Sequence, residues 1–124
     1  MKNVVTSKAP AAIGPYSQGI DIGNLVFTSG QLPLNMETGE METEIKAATK
    51  ASLSNVKAIL AEAGLTMDNV IKTTVFISDM NNFAAMNEVY STFFGETAPA
   101  RSCVEVARLP KDVLVEIEAV AVRK

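Results

Sequence analysis

The sequence contains no histidine, no tryptophan and only one cysteine, Cys103. Without histidine there can be no Ser-His-Asp triad and no Cys-His dyad, and the commonest zinc ligand is missing. A single cysteine makes no intrachain disulfide and no thiolate metal cluster within one chain, and it suits a reducing compartment. Acid–base chemistry near neutral pH therefore falls to carboxylates, Tyr, Lys, Cys103 or water held by backbone groups. There is also no basic run. Lys and Arg are scattered singly along a chain of net charge −3, unlike the basic stripe with which a nucleic-acid binder displaces counterions from phosphates. No stretch approaches the ~20 apolar residues of a membrane helix. The opening Met1-Lys2-Asn3-Val4-Val5-Thr6 lacks the apolar run of a signal peptide. The expectation is a cytoplasmic protein that binds neither nucleic acid nor membrane.

What is present is a chain of 124 residues, 48% of them hydrophobic, long enough to bury a core as one domain over 1–124. Residues 3–6 read as a short strand, and 9–15 as a loop broken by Pro10 and Pro15. Residues 17–22 and 25–30 read as two strands turning at Gly23-Asn24. Residues 33–40 read as a loop. Leu53, Val56, Leu60 and Ala63 recur at spacings of three and four, which predicts a helix from about Glu42 to Ala63, stopped by Gly64. The β-branched run 70–78 predicts a strand. A second helix, capped by Asn81 or Asn82, should reach about Phe94, with Phe83, Met86, Tyr90 and Phe93 on one face and Gly95 as its stop. Residues 101–107 and 113–122 complete the strands, joined through Pro110. The order β-β-β-α-β-α-β-β predicts an α+β fold: two right-handed crossovers onto a single mixed sheet, with both helices packed on one face.

The other face of that sheet is the informative one. In the last strand Val113, Val115, Ile117, Ala119 and Ala121 form a wholly apolar set that should face the helices. Leu114, Glu116, Glu118, Val120 and Val122 form a mixed set, more apolar than a free face requires, as if a second subunit covered it. By the same alternation Val104 and Val106 share one face of the preceding strand. Arg101, Cys103 and Glu105 share the other, and Arg101 and Cys103 are expected beside Glu116 and Glu118 on the helix-free side.

Several residues offer chemistry. Arg101 would grip a substrate carboxylate in a two-pronged geometry; the competing reading is an ion pair with Glu105, Glu116 or Glu118. Glu116, inside a strand, would have its pKa raised by burial and could hold water and move protons; the alternative is a salt bridge or a solvated face, and spacing alone does not separate it from Glu118. Cys103 has no histidine to activate it and reads first as a small, partly buried residue, with backbone groups available to a ligand. Ser29 and Gly30 end a strand, where Gly30 allows close backbone approach. Tyr16 is a loop aromatic able to close over a small ligand or simply to pack. Asn87 lies within the second helix, facing water or a subunit seam.

Taken together the motifs resemble those of the RidA (YjgF) family of imine and enamine deaminases. The matching stretches are Ala12-Ile13-Gly14-Pro15-Tyr16-Ser17-Gln18, Thr28-Ser29-Gly30-Gln31, Lys72-Thr73-Thr74-Val75-Phe76, Pro99-Ala100-Arg101-Ser102-Cys103-Val104-Glu105-Val106, Leu109-Pro110 and Val115-Glu116-Ile117-Glu118-Ala119. They come in order and cover essentially the whole chain. The resemblance implies a chorismate-mutase-like fold, a homotrimer whose sheets line a barrel, and sites in the clefts between subunits. It implies hydrolysis of 2-imino and 2-enamino acids such as 2-aminoacrylate, without a cofactor or metal, which protects pyridoxal-phosphate enzymes. Arg101 is then the carboxylate anchor and Glu116 the water-positioning acid–base. Gly30 and Cys103 offer backbone groups, and Tyr16, Ser29 and Asn87 line the cleft. The chain departs from the pattern at Ala98, where many relatives carry an aromatic, and in the short loop Gly95-Glu96-Thr97. Two other functions are weighed against deamination. A small-carboxylate (2-oxo acid) binding or regulatory protein would use the same cleft but would need only the arginine. A ribonuclease, an activity attributed to some relatives, fits poorly with the negative charge.

Overall fold

A computed structural model describes all 124 residues. Eight strands and two α-helices follow in the order β1 (Lys2–Val4), β2 (Gly19–Asp21), β3 (Leu25–Thr28), β4 (Leu34–Asn35), β5 (Glu40–Met41), α1 (Ile45–Glu62), β6 (Val70–Ile77), α2 (Phe83–Tyr90), β7 (Ala100–Glu105) and β8 (Val115–Val122). Six strands form one mixed sheet in the order β1-β2-β3-β8-β6-β7. Only β6 and β7 pair in parallel; the other pairings are antiparallel. Because β3 and β6 both run against β8, they are parallel to each other. Each helix therefore bridges two parallel strands, as the element order implied. No helix is long and apolar enough to cross a membrane.

The predicted elements are present with shifted ends. The segment 33–40 is not merely a loop: β4 and β5 pair antiparallel, Leu34 with Met41 and Asn35 with Glu40. That small ribbon also moves the start of α1. Glu42 is tied back through its N–H to Pro33 O and through its carboxylate to Asn35 Nδ2. Glu44 becomes the cap instead, its carboxylate accepting from Ala47 N at 2.9 Å. Before α2, Asn82 stands at the N-cap position as expected, but its side chain makes no capping bond; the side-chain cap comes one turn earlier, from Asp79. Its side chain accepts from Asn81 N, and a 3₁₀ turn over Met80–Asn82 leads into the helix. The α-helix ends at Tyr90, and a further 3₁₀ turn runs over Ser91–Phe93.

The core lies between the two helices and one face of the sheet. Leu53, Val56, Ile59 and Leu60 of α1 have no exposure, each worth about 1.5–3 kcal/mol of apolar burial. Leu53, Val56 and Leu60 form one cluster with Met86 of α2, Val75 and Ile77 of β6, and Val115, Ile117, Ala119 and Ala121 of β8. The polar residues within α1 are accommodated individually. Asn55 donates to Leu32 O and Leu34 O, pinning the loop after β3 to the helix, and Thr49 bonds back to Ile45 O.

The expected face assignment holds for β8 and fails for β7. Val115, Ile117, Ala119 and Ala121 are buried under the helices, while Glu116, Glu118, Val120 and Val122 point the other way. Register then carries these faces across the sheet. Phe76 stands opposite both Glu116 and Val104, whereas Thr73 stands opposite both Ala119 and Arg101. Arg101 and Cys103 therefore face α2, and Val104, 44% exposed, shares the helix-free face with Glu116. The valines had suggested the inward side of β7. On an edge strand whose outer face is itself apolar, hydrophobic alternation does not distinguish the two faces.

Candidate active site

Glu116 sits on the open face of β8, where β3 has just ended. Beyond Thr28 the chain returns to β8 once more, through a bridge in which Gln31 N donates to Ile117 O at 2.8 Å and Ile117 N donates to Gln31 O at 3.2 Å. That bridge turns the buried Gln31 toward the core and lays Gly30 against the Glu116 carboxylate. A Cβ built on Gly30 would collide with Oε2, and would lie 2.8 Å from Cδ and 3.0 Å from Cγ. The absence of a side chain at Gly30 makes room for the acid. Ser29 is fixed by its N–H to Gln18 O at 2.9 Å and by its hydroxyl to Ser17 O at 2.5 Å. The loop carrying Tyr16 is thereby tied beside this strand end. Tyr16 itself is 51% exposed.

Glu116 is half-buried and forms no hydrogen bond or salt bridge. Burial raises its pKa above the ordinary carboxylate value, and the nearby charge of Glu118 adds to the rise. A desolvated carboxyl with its pKa raised gives up and takes back a proton at higher pH than an ordinary exposed one. Glu118 faces the same way but is exposed, so burial supplies the distinction that spacing lacked.

The other candidates gather on the opposite side, between β7 and α2. Arg101 Nη1 donates to Asn87 Oδ1 at 2.7 Å. Its guanidinium carbon lies 4.7 Å from the Tyr90 ring centre and 5.5 Å from that of Phe83. None of the three acids proposed as ion-pair partners engages it. Arg108 and Arg123 pair with Asp112 and Asp21, leaving Arg101 as the arginine without a carboxylate. Asn87 accepts from this guanidinium and lines the cleft beside it. Cys103 lies partly buried against the core, and burial raises its thiol pKa, offset in part by Arg101. The thiol thus stays protonated, consistent with a packing role. Beside Arg101 opens a cleft of about 520 Å³, lined by Asn87, Tyr90, Phe94, Ala98 and Pro99 among others.

The structure thus brings the candidates together as two groups. Glu116, Gly30, Ser29 and Tyr16 belong to the helix-free face and its margin; Arg101, Asn87 and Cys103 belong to the α2 side. The sequence places Phe83 and Tyr90 on one face of the second helix, with no role in the site assigned to them. The available signal was their spacing with Asn87: positions 83, 87 and 90 fall on one face of a helix, and that face points at Arg101. The chain gathers no group of three or more acidic or sulfur side chains able to hold a metal.

Comparison with known proteins fits this arrangement. A family model described as Endoribonuclease L-PSP matches residues 6–123. The chain is 57% identical to a 2-iminobutanoate/2-iminopropanoate deaminase of Escherichia coli strain K12, over 99% of this chain and 98% of that protein. Its fold superposes on E. coli TdcF with bound serine at a TM-score of 0.96 and 56% identity, and on the E. coli YjgF gene product with the same values, each covering 100% of both chains. With the predicted motifs in place and the match spanning nearly every residue, the chain belongs to the endoribonuclease L-PSP family, the RidA (YjgF) family its sequence resembled.

Proposed function

We propose that this protein is a cofactor-free deaminase that hydrolyses 2-imino acids, and their 2-enamino tautomers such as 2-aminoacrylate, to 2-oxo acids and ammonia. One observation carries the reading: an arginine with no carboxylate and a desolvated carboxyl with no base lie on opposite faces of one sheet. In a single chain they do not meet. When one copy presents its α2 side to the open sheet face of another, Arg101 of the first is set across from Glu116 of the second. The open face suits such a contact, since Phe27 and Val104 are exposed there beside Val120 and Val122. The assembly proposed is a homotrimer with three such clefts, working in the cytoplasm.

In this cleft Arg101 binds the substrate carboxylate and Glu116, as carboxylate, takes a proton from water as its oxygen bonds to the imine carbon. The C=N π electrons pass to nitrogen, which takes that proton back from Glu116. Glu116 then moves the adduct's hydroxyl proton to the amine nitrogen, and ammonia leaves as the C=O bond forms. Backbone groups of Gly30 and Cys103 bound the site, with Tyr16, Ser29 and Asn87 at its walls. Because imines hydrolyse unaided, orientation and water placement suffice for useful acceleration. Clearing such species would protect the pyridoxal-phosphate enzymes that release them.

The test is a coupled assay in which a pyridoxal-phosphate dehydratase generates 2-aminoacrylate from serine and release of the 2-oxo acid is timed. The wild type should accelerate release. Arg101→Ala should lose about 10- to 100-fold, the worth of a charge-assisted carboxylate contact, while remaining folded. Absence of acceleration by a folded, assembled wild type overturns the enzyme reading and favours a carboxylate-binding protein, which the serine bound to TdcF makes the specific alternative. Ribonuclease activity, suggested by the family's description, would instead reveal itself as RNA cleavage falling steeply with salt. Glu116 and Glu118 on the open face argue against a phosphate backbone there.

A further inference from the structure

A guanidinium half-sheltered by protein ordinarily takes a carboxylate partner, but Arg101 has none. On the same strand and the same face, the next acid is Glu105, four residues on and roughly 13 Å along the extended chain. It is engaged elsewhere: its Oε1 accepts the Met80 N–H at 2.7 Å, at the turn that leads into α2. Arg101 has aromatic rings instead, with Tyr90 at 4.7 Å and Phe83 at 5.5 Å from its carbon.

The difference matters for what Arg101 can still bind. A carboxylate partner engages the N–H edge of a guanidinium, the edge a substrate carboxylate needs. A ring stabilises the cation through its face and leaves the edge open. Asn87 occupies Nη1, while Nε and Nη2 have no partner in the structure, and together they form a two-pronged donor pair. The Tyr90 ring is itself fixed. Its hydroxyl shares a buried 2.7 Å hydrogen bond with Thr73 Oγ1, and its ring tilts against Phe94 at 4.8 Å between centres. Thr73 is also the residue of β6 that stands opposite Arg101, so one strand position sets both the backbone and the ring beneath the guanidinium.

We propose that Tyr90 and Phe83 are positioning residues, an aromatic clamp that holds Arg101 flat, charged and free of any internal carboxylate, with Thr73 setting the tilt of Tyr90. The role in substrate binding rests on Arg101 being the carboxylate anchor.

The experiment uses the full-length assembled protein and the variants Tyr90→Leu, Tyr90→Phe and Phe83→Leu, each checked for folding and assembly. The first readout is the ¹⁵N–¹Hε signal of Arg101 in ligand-free protein, assigned by its disappearance in Arg101→Lys. It should be shifted by ring currents in the wild type, return toward the free-arginine position in Tyr90→Leu, and remain shifted in Tyr90→Phe. The second readout is the Kd of 2-oxobutanoate as carboxylate probe. Tyr90→Leu and Phe83→Leu should each raise it about tenfold, the scale of a desolvated cation–π contact, and Tyr90→Phe should recover most of that loss. A folded Tyr90→Leu with unchanged signal and Kd overturns the clamp, as does a Tyr90→Phe as impaired as Tyr90→Leu. If Tyr90→Leu does not fold, Phe83→Leu, at a partly exposed position, decides by the same two readouts. A wild type that neither binds 2-oxobutanoate nor deaminates overturns the anchor reading instead; the clamp is then judged by the arginine signal alone.

Discussion

Replacing Gly30 by alanine adds one carbon at the place where the strand end meets the Glu116 carboxyl. That carbon would collide with Oε2 and stand 2.8 Å from Cδ. To restore an ordinary contact near 3.4 Å, the carboxyl carbon must retreat by about 0.6 Å, and the oxygen further. The carboxyl moves because it is the end of a flexible side chain, whereas Gly30 is held by the neighbouring Gln31–Ile117 bridge. A displacement approaching 1 Å of a group that places the attacking water costs on the order of 100-fold in rate. The fold should tolerate the change. Gly30 is not among the residues with left-handed backbone, and alanine removes unfolded-chain entropy worth about 0.4–1 kcal/mol. Gly30→Ala should thus lower deamination in the coupled assay by about 10- to 100-fold while its melting midpoint stays within a few degrees of wild type. Wild-type activity in the folded variant would refute the placement of Glu116 in the chemistry, since the acid cannot keep its position beside an added Cβ.

Glu116→Gln should abolish turnover yet protect the fold as pH rises. The folded-state pKa of Glu116 is raised, so below the unfolded value the carboxyl is neutral in both states and costs nothing. As pH climbs through the folded value, ionisation penalises only the wild type. The melting difference, variant minus wild type, should be near zero at about pH 4, grow as pH rises and then level off; a difference that shrinks with pH would contradict the burial assignment. Thr28→Val should cost about 1–3 kcal/mol in urea unfolding, because Thr28 Oγ1 accepts the buried Ala119 N–H at 3.0 Å and valine leaves that donor unpaired. An unchanged midpoint would mean the donor finds another partner. Lys111→Gly should stabilise the protein by about 0.5–1 kcal/mol, since Lys111 holds a left-handed φ of 57° that only glycine adopts freely. Destabilisation would show that the lysine side chain outweighs its backbone cost.

Much of this architecture was legible because the determining signals are local. The α1 stripe of Leu53, Val56 and Leu60, the Gly23-Asn24 turn and the β-branched run of β6 each specify their element without help from the rest of the chain. The alternation in β8 assigned its faces correctly because one set is wholly apolar. The misreading of β7 has a definite cause. Val104 is apolar and points to the open face, while Arg101 is charged and points toward the helix side, because aromatic rings and Asn87 stand there to receive it. Only the register, Thr73 with Arg101 and Phe76 with Val104, reveals this, and register is a long-range property. The same holds for Gly30: its sequence suggested close approach, but nothing in it named Glu116 as the group approached.

That misreading alters the functional argument. With Arg101 and Glu116 on one face, a single chain could assemble both halves of a site, and association would be incidental to the chemistry. With them on opposite faces, the chain is complete in neither half: the cation side lacks an acid and the acid side lacks a cation. The proposed deaminase site would therefore take its anchor from one copy and its acid from another. Disrupting the contact between copies should then remove activity even where each chain remains folded. The proposed assembly would also give both apolar faces of the sheet a use: one covers the chain's own core, and the other would meet a second copy.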